Sequence, residues 1–220
     1  MLMKCKYIIM CGGTYEKWKT PKHLVEINGE PLVKRTIRLL KAAGVPNSDI
    51  AISTTNAKLF TGLGVTLLCH HNPYYLPKDR DATSPWLDAF YPTSKPVCYI
   101  FGDVVFSPDA IKKIVETDTA SIQFFASAPP FAHNYSKRWA EPFAFKVVDT
   151  DRFFKCVGLT KEYEKKGCFY RQPVSWELWQ VIKGTPLGVV NYTNYVAIND
   201  YTCDIDTPED IKLFEGIVDG

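Results

Sequence analysis

The run Tyr7 Ile8 Ile9 Met10, broken by Cys11 Gly12 Gly13 and trailed by Lys17, Lys19 and Lys22, constrains the fold more than any other stretch of the chain. Consecutive apolar residues of this kind predict a buried strand, and the glycine pair predicts that it empties into a tight turn. Glycines lacking a Cβ let backbone N–H groups approach an anion closely, and the lysines add the positive charge that a triphosphate requires. Taken alone, the stretch leaves open a plain turn flanked by solvated lysines.

The next residues continue an α/β alternation. Leu24 to Ile27 reads as a short extended piece closed by Asn28 Gly29. Pro31 suits the first position of a helix whose apolar residues Leu32, Val33, Thr36, Ile37, Leu39 and Leu40 recur at helical spacing up to Gly44. A strand at Ile50 to Ser53 completes a βαβ unit, which crosses over right-handed onto a parallel sheet. A further strand is predicted at Val65 to Cys69. After a polar segment from His70 to Arg80, Ser84 Pro85 predicts a helix start leading into Trp86 to Phe90. Thr83 and Ser84 there either cap the helix or touch a nucleotide.

Val97 to Phe101 is an apolar run of β-formers between Pro96 and Gly102, the signature of a central buried strand. It ends in Gly102 Asp103, which puts a carboxylate at the carboxyl edge of the sheet, where open α/β sheets bind ligands. A turn-initiating role is the alternative for Asp103. Ser107 Pro108 Asp109 starts another helix. In the second half, Ser121 to Ala126, Phe143 to Val148 and Phe153 to Val157 read as strands of a mixed excursion laid over the sheet. Pro173 to Ile182 reads as a strand turning into a helix ended by Gly184, and Tyr192 to Ile198 as a last strand.

The chain closes with Asp204 Ile205 Asp206 Thr207 Pro208 Glu209 Asp210. Thr207 as N-cap, Pro208 as first helical residue and Asp210 as the returning acid form a capping arrangement. Asp204 and Asp206 serve no such purpose. Alternation on an extended segment turns both to one face.

Composition excludes several classes. With 220 residues, 46% hydrophobic, 23% charged and a net charge of +2 spread among both signs, the chain fits one domain, residues 1–220, without a nucleic-acid surface. Seven cysteines, odd in number and without a CxxC pair, fit reduced thiols. No signal-like segment opens the sequence and no apolar run reaches membrane-span length, so a cytoplasmic protein without membrane partners is expected. A homodimer stays open.

The lysine-bearing glycine loop, the Asp after a central strand and the C-terminal acidic segment together resemble the nucleotidyltransferase family with a GT-A-like α/β fold, which includes sugar-phosphate nucleotidylyltransferases, cytidylyltransferases and molybdenum-cofactor guanylyltransferases. The family pattern GGxGxR, then PK, then GxPL, stands here as Gly12 Gly13 Thr14 Tyr15 Glu16 Lys17, Pro21 Lys22 and Gly29 Glu30 Pro31 Leu32. Tyr15 takes the place of a glycine, and Lys17 that of an arginine, a point charge instead of a two-pronged fork.

The resemblance implies a three-layer, mostly parallel Rossmann-like sheet and transfer of a nucleotidyl group to a phosphorylated acceptor with release of pyrophosphate. It implies Mg²⁺ held by Asp103 and Asp206, with Asp204 as a further ligand, and nucleotide contacts from Cys11, Gly12, Gly13, Thr14, Thr83, Ser84 and Asp103. Lys22 and Lys17 are the implied catalytic lysines, on the reacting phosphate and on the leaving pyrophosphate. CTP is the expected nucleotide, after the cytidylyltransferase-like look of the C-terminal segment. For the acceptor, Trp139, Glu141, Trp176 and Trp179 suit an aromatic cage beside an acid, as phosphocholine would need, or are core residues. A sugar phosphate or polyol phosphate bound for a surface polymer is the other acceptor class. A GT-A glycosyltransferase is the alternative enzyme, although Asp103 Val104 Val105 lacks its usual DxD. A nicotinamide oxidoreductase lacks its third glycine. A non-catalytic nucleotide-binding module is the third alternative.

Overall fold

The computed structural model describes residues 5–12, 18, 20–69, 85–128 and 140–217. Its centre is a seven-stranded sheet in the order β10-β8-β9-β6-β1-β4-β5, built from β1 (Lys6–Met10), β4 (Ile50–Thr54), β5 (Thr66–Cys69), β6 (Val97–Phe101), β8 (Ile122–Ser127), β9 (Glu141–Val147) and β10 (Val196–Ala197). β1 lies between β6 and β4 and is parallel to both, with Ile8 opposite Tyr99 on one side and Ala51 on the other. Strands buried on both faces need unbroken apolar runs, and every residue of β6 is buried. β9 alone runs antiparallel, between β6 and β8.

Helices cover both faces. Lys146 and Phe145 are neighbours on β9 and therefore point to opposite sides of the sheet. The Lys146 ammonium, 1% exposed, donates to the carbonyls of Ile114, Val115 and Thr117 at 3.0, 2.9 and 2.7 Å, and so caps the carboxyl end of α2 (Pro108–Glu116). Phe145 instead meets Phe153 of α3 (Thr150–Lys165) and Trp179 of α4 (Ser175–Lys183). Three layers result, with Phe90, Tyr99, Phe124, Phe145 and Phe153 in edge and stacked contacts beneath α3 and α4.

Several expected elements differ: β8 and β9 belong to the central sheet instead of lying over it, and no strand directly precedes α4. Phe153 to Val157 is helical, part of α3. Thr150, Phe153, Cys156, Val157 and Thr160 are its buried residues, spaced by three and four, and Asp149 caps its start by accepting from the Arg152 N–H at 3.0 Å. An apolar cluster read as a strand therefore carries the helical period. The segment after Ser84 forms a single 3₁₀ turn, Pro85–Asp88, before Phe90 enters the core. Among the described residues no helix is long and apolar enough to cross a membrane.

A smaller apolar cluster ties the end of the chain to the sheet. The hairpin of β2 (Glu26–Ile27) and β3 (Glu30–Pro31) turns on Asn28 and Gly29, with φ of 51° and 81°, the two positive values a type I′ turn needs. Pro31 then precedes α1 (Leu32–Ala42) as its N-cap residue. Asn28 Nδ2 donates to the carbonyls of Phe214 and Ile217 at 3.3 and 2.8 Å. Ile27, Leu32, Val105, Cys203, Ile205 and Phe214 bury one another, and β11 (Cys203–Asp204) pairs antiparallel with β7 (Val104–Val105). This packing delivers the C-terminal acids to the turn after β6.

Candidate active site

The Gly102–Asp103 turn leaves no room for a side chain at its first residue. A Cβ on Gly102 would stand 2.4 Å from the Met10 carbonyl oxygen, 2.8 Å from His23 Cδ2 and 3.0 Å from Cys11 Sγ. The end of β1, the turn after β6 and the Lys22–Leu24 3₁₀ turn therefore meet at one point. The Gly102 N–H donates to the Met10 carbonyl at 3.1 Å, and the Ile205 N–H to the Asp103 carbonyl at 3.0 Å. Asp103 and the residue before Asp206 are thus joined through the backbone.

Lys22 completes the group. Its Nζ lies 3.4 Å from Asp103 Oδ2 and 3.2 Å from Asp206 Oδ1, a single ammonium shared by carboxylates from distant parts of the chain. Burial opposes charge on Lys22, but the carboxylates of Asp103, Asp206 and Asp204 outweigh it and hold the lysine protonated above its usual range. The Lys22 side chain is 17% exposed, while Asp103 and Asp206 keep 36% and 52% and open to solvent. Asp210 bonds the backbone N–H groups of Asp206 and Thr207 at 2.7 and 2.8 Å, the capping arrangement expected from the sequence, which fixes the approach of Asp206.

His23, unremarkable in the sequence, is the buried floor of the site. It is 3% exposed and edge-on to Phe60 at 6.3 Å, and burial lowers its pKa to about 4 although the Asp103 charge acts the other way. The imidazole is neutral. No period or motif singles it out; only the burial beside Gly102 does.

Cys11, expected at the nucleotide, is buried, and Trp176 and Trp179, offered as cage or core, are core. Cys11 is 1% exposed, its N–H donates to the Ser53 carbonyl at 2.8 Å, and burial pushes its thiol up, so it supports the loop and offers no donor to phosphate. Trp176 is 1% exposed, packed edgewise on Phe124, Tyr192 and Tyr195, with Nε1 donating to the Ala140 carbonyl at 3.2 Å. Trp179 is likewise core and donates to the Thr193 carbonyl. Neither indole has a face left for a cage. Glu141 begins β9 opposite Ser127, the last residue of β8. Because β9 runs against its neighbours, Glu141 stands at the same carboxyl edge as Asp103, but it is buried, 6% exposed. Gly13, Thr14, Lys17, Thr83, Ser84 and Trp139 lie outside the described residues.

Two solvent-open carboxylates would fit a hard divalent cation such as Mg²⁺, which takes one or two carboxylates and completes its shell with water and substrate phosphates.

The profile of the MobA-like NTP transferase domain matches residues 7–147. The chain belongs to this family. Its NTP transferase domain match takes in the glycine loop, Lys22, Asp103 and Glu141, and stops before Asp204 and Asp206. Two solved structures share the fold over nearly the whole chain. The inositol-1-phosphate CTP transferase from T. maritima is 15% identical, with TM-score 0.57, covering 99% of this chain and 100% of that one. A putative glucose-1-phosphate thymidylyltransferase from Bacillus anthracis, in complex with a sucrose, is 18% identical, with TM-score 0.56, covering 99% and 98%. No curated protein sequence matches the chain.

Proposed function

We propose that this chain, residues 1–220 acting as one domain, is a Mg²⁺-dependent nucleotidyltransferase that joins the nucleoside monophosphate unit of a triphosphate to a phosphorylated small molecule. The observation that carries the reading is the meeting of Lys22, Asp103 and Asp206 at the carboxyl edge of the sheet, beside the end of the strand that feeds the glycine loop. A phosphate oxygen of the acceptor attacks the α-phosphorus, the bond from that phosphorus to the β-phosphate's bridging oxygen breaks, and pyrophosphate leaves with the electron pair. An ionised phosphate brings no proton to be removed, so the site needs no general base, and the neutral, buried His23 fits that economy. The demand is for charge offset and in-line placement. Bound Mg²⁺ would be held by Asp103 and Asp206 and would offset charge on the phosphates. Lys22 pairs with phosphate in the reacting complex, and the backbone of Gly12 and Gly13 with Lys17 receives the rest of the triphosphate.

CTP as donor is the most specific part of this reading. Its support is the C-terminal acidic segment and a CTP transferase among the structures that share the fold. On the acceptor side a sugar phosphate or polyol phosphate suits better than a quaternary ammonium, since Trp176 is sealed in the core and Glu141 is buried as well. Pyrophosphate release is measured with CTP, UTP, GTP or ATP and Mg²⁺ across a panel of phosphorylated acceptors, with nucleotide-sugar transfer run in parallel. Turnover with one nucleotide and one acceptor class is expected; transfer from a nucleotide sugar with no pyrophosphate would replace the reading by a glycosyltransferase.

A further inference from the structure

Lys22 stands where two carboxylates converge, and that is also where an incoming divalent cation has to sit. Its ammonium bridges Asp103 and Asp206 at 3.4 and 3.2 Å. Both acids are open to solvent on their outer side, at 36% and 52%, so a cation arriving from solution reaches them. The lysine backbone, in contrast, is pinned: Leu24 and Val25 N–H groups close the 3₁₀ turn on the Pro21 and Lys22 carbonyls at 2.8 and 3.1 Å, and the next residue, His23, is wedged under Gly102. Any departure of Nζ from the carboxylates is therefore a swing of the four-carbon side chain about a fixed Cα.

We infer that Lys22 is a resident counter-ion that masks the metal site, and that the metal enters as its complex with a polyphosphate, which displaces the ammonium and at once provides it with a new anionic partner. A bare divalent ion must evict a lysine that is then left without an anion in a half-buried position, which disfavours metal binding by itself. A metal–polyphosphate complex carries the compensating charge with it. The carboxylates exchange one cation for another and the lysine exchanges carboxylate for phosphate, so each ion keeps an opposite partner. Metal and nucleotide would thus bind as one unit. The inference rests on the proposed function for the nature of the incoming complex, a metal-bound nucleoside triphosphate.

The test uses Mn²⁺ as the probe, with free ion counted by electron paramagnetic resonance, on the full chain without nucleotide. Lys22→Met is expected to bind Mn²⁺ at least about tenfold more tightly than the wild type, the scale of a lost competing ion pair of about 1.4 kcal/mol. Lys22→Arg, which keeps a cation, should bind as weakly as the wild type, and Asp103→Asn in the Lys22→Met background should lose the gain. Circular dichroism melting of each variant separates binding from folding, and the arginine variant keeps the comparison valid should the methionine one melt early. Equal Mn²⁺ affinity in the wild type and Lys22→Met overturns the inference, as does the absence of Mn²⁺ binding in both. If the affinity rises as expected while no nucleotide yields pyrophosphate, the masking stands and the proposed reaction falls. Turnover without any rise in Mn²⁺ affinity has the opposite meaning.

Discussion

Two regions of the sheet's carboxyl edge are built on opposite terms. Around Asp103 the polar groups are partly open: an ammonium and carboxylates held at 3.2 and 3.4 Å with solvent on one side. Around the start of β9 the aromatic residues are closed off, with Trp176 and Trp179 at 1% and 2% exposure and each indole N–H satisfied by a carbonyl. Burying a tryptophan removes a large apolar area from water, so an indole near a site goes to the core whenever a hydrogen-bond partner is at hand. Carboxylates paired with a lysine gain little from full burial and stay where solvent reaches them. On the proposed function the first region carries the chemistry, and the second is packed core.

The contrast breaks most visibly under substitution. Asp103→Asn should lower pyrophosphate release by about a thousandfold, on the order of 4 kcal/mol of transition-state stabilisation, with a melting temperature close to the wild type; a large drop in melting temperature would move Asp103 to the structural side. Trp176→Ala should do the reverse, costing about 3–5 kcal/mol in denaturant unfolding while the folded fraction keeps its turnover. Loss of acceptor affinity in a stable Trp176→Phe variant would return the indole to the ligand surface.

His23 lies in the first region but is as buried as the indoles of the second, and pH tests that burial. Its folded pKa, about 4, lies below the unfolded value near 6.5, so the unfolded state binds more protons between those limits. Stability contributed by the neutral ring is fully present above about pH 6.5 and is lost as pH falls toward 4. The amplitude is at most about 3 kcal/mol, and His23→Gln should flatten that part of the stability curve; an unchanged slope would show that the ring is not buried as described. Asp210→Ala, which removes only the clamp on the Asp206 and Thr207 N–H groups, should cost about 1 kcal/mol of stability and a few-fold in turnover.

The parts of the molecule that were legible in the sequence are those ruled by local chemistry. The β1 run, the α1 period, the Gly102–Asp103 break and the Thr207 to Asp210 cap each state their conformation within a few residues. Phe153 to Val157 misled because two adjacent phenylalanines mimic a strand when the window is too short to show Thr160 as the next buried position. His23 and Trp176 were illegible for a different reason. Whether such a residue faces a ligand or the core depends on what long-range packing sets beside it: Met10, Cys11 and Gly102 for the one, Phe124 and Ala140 for the other.

Asp206 lies beyond the matched family segment and reaches Asp103 through the pairing of β11 with β7 and the packing of Ile205 and Phe214, which makes the pair the account's most exposed claim. A double-mutant cycle of Asp103→Asn and Asp206→Asn, read as pyrophosphate release, tests it directly. If the two carboxylates serve one cation, each single variant loses most of the activity and the double variant loses little more, far less than the product of the two effects. Full activity in Asp206→Asn, or losses that simply multiply, would contradict a shared site.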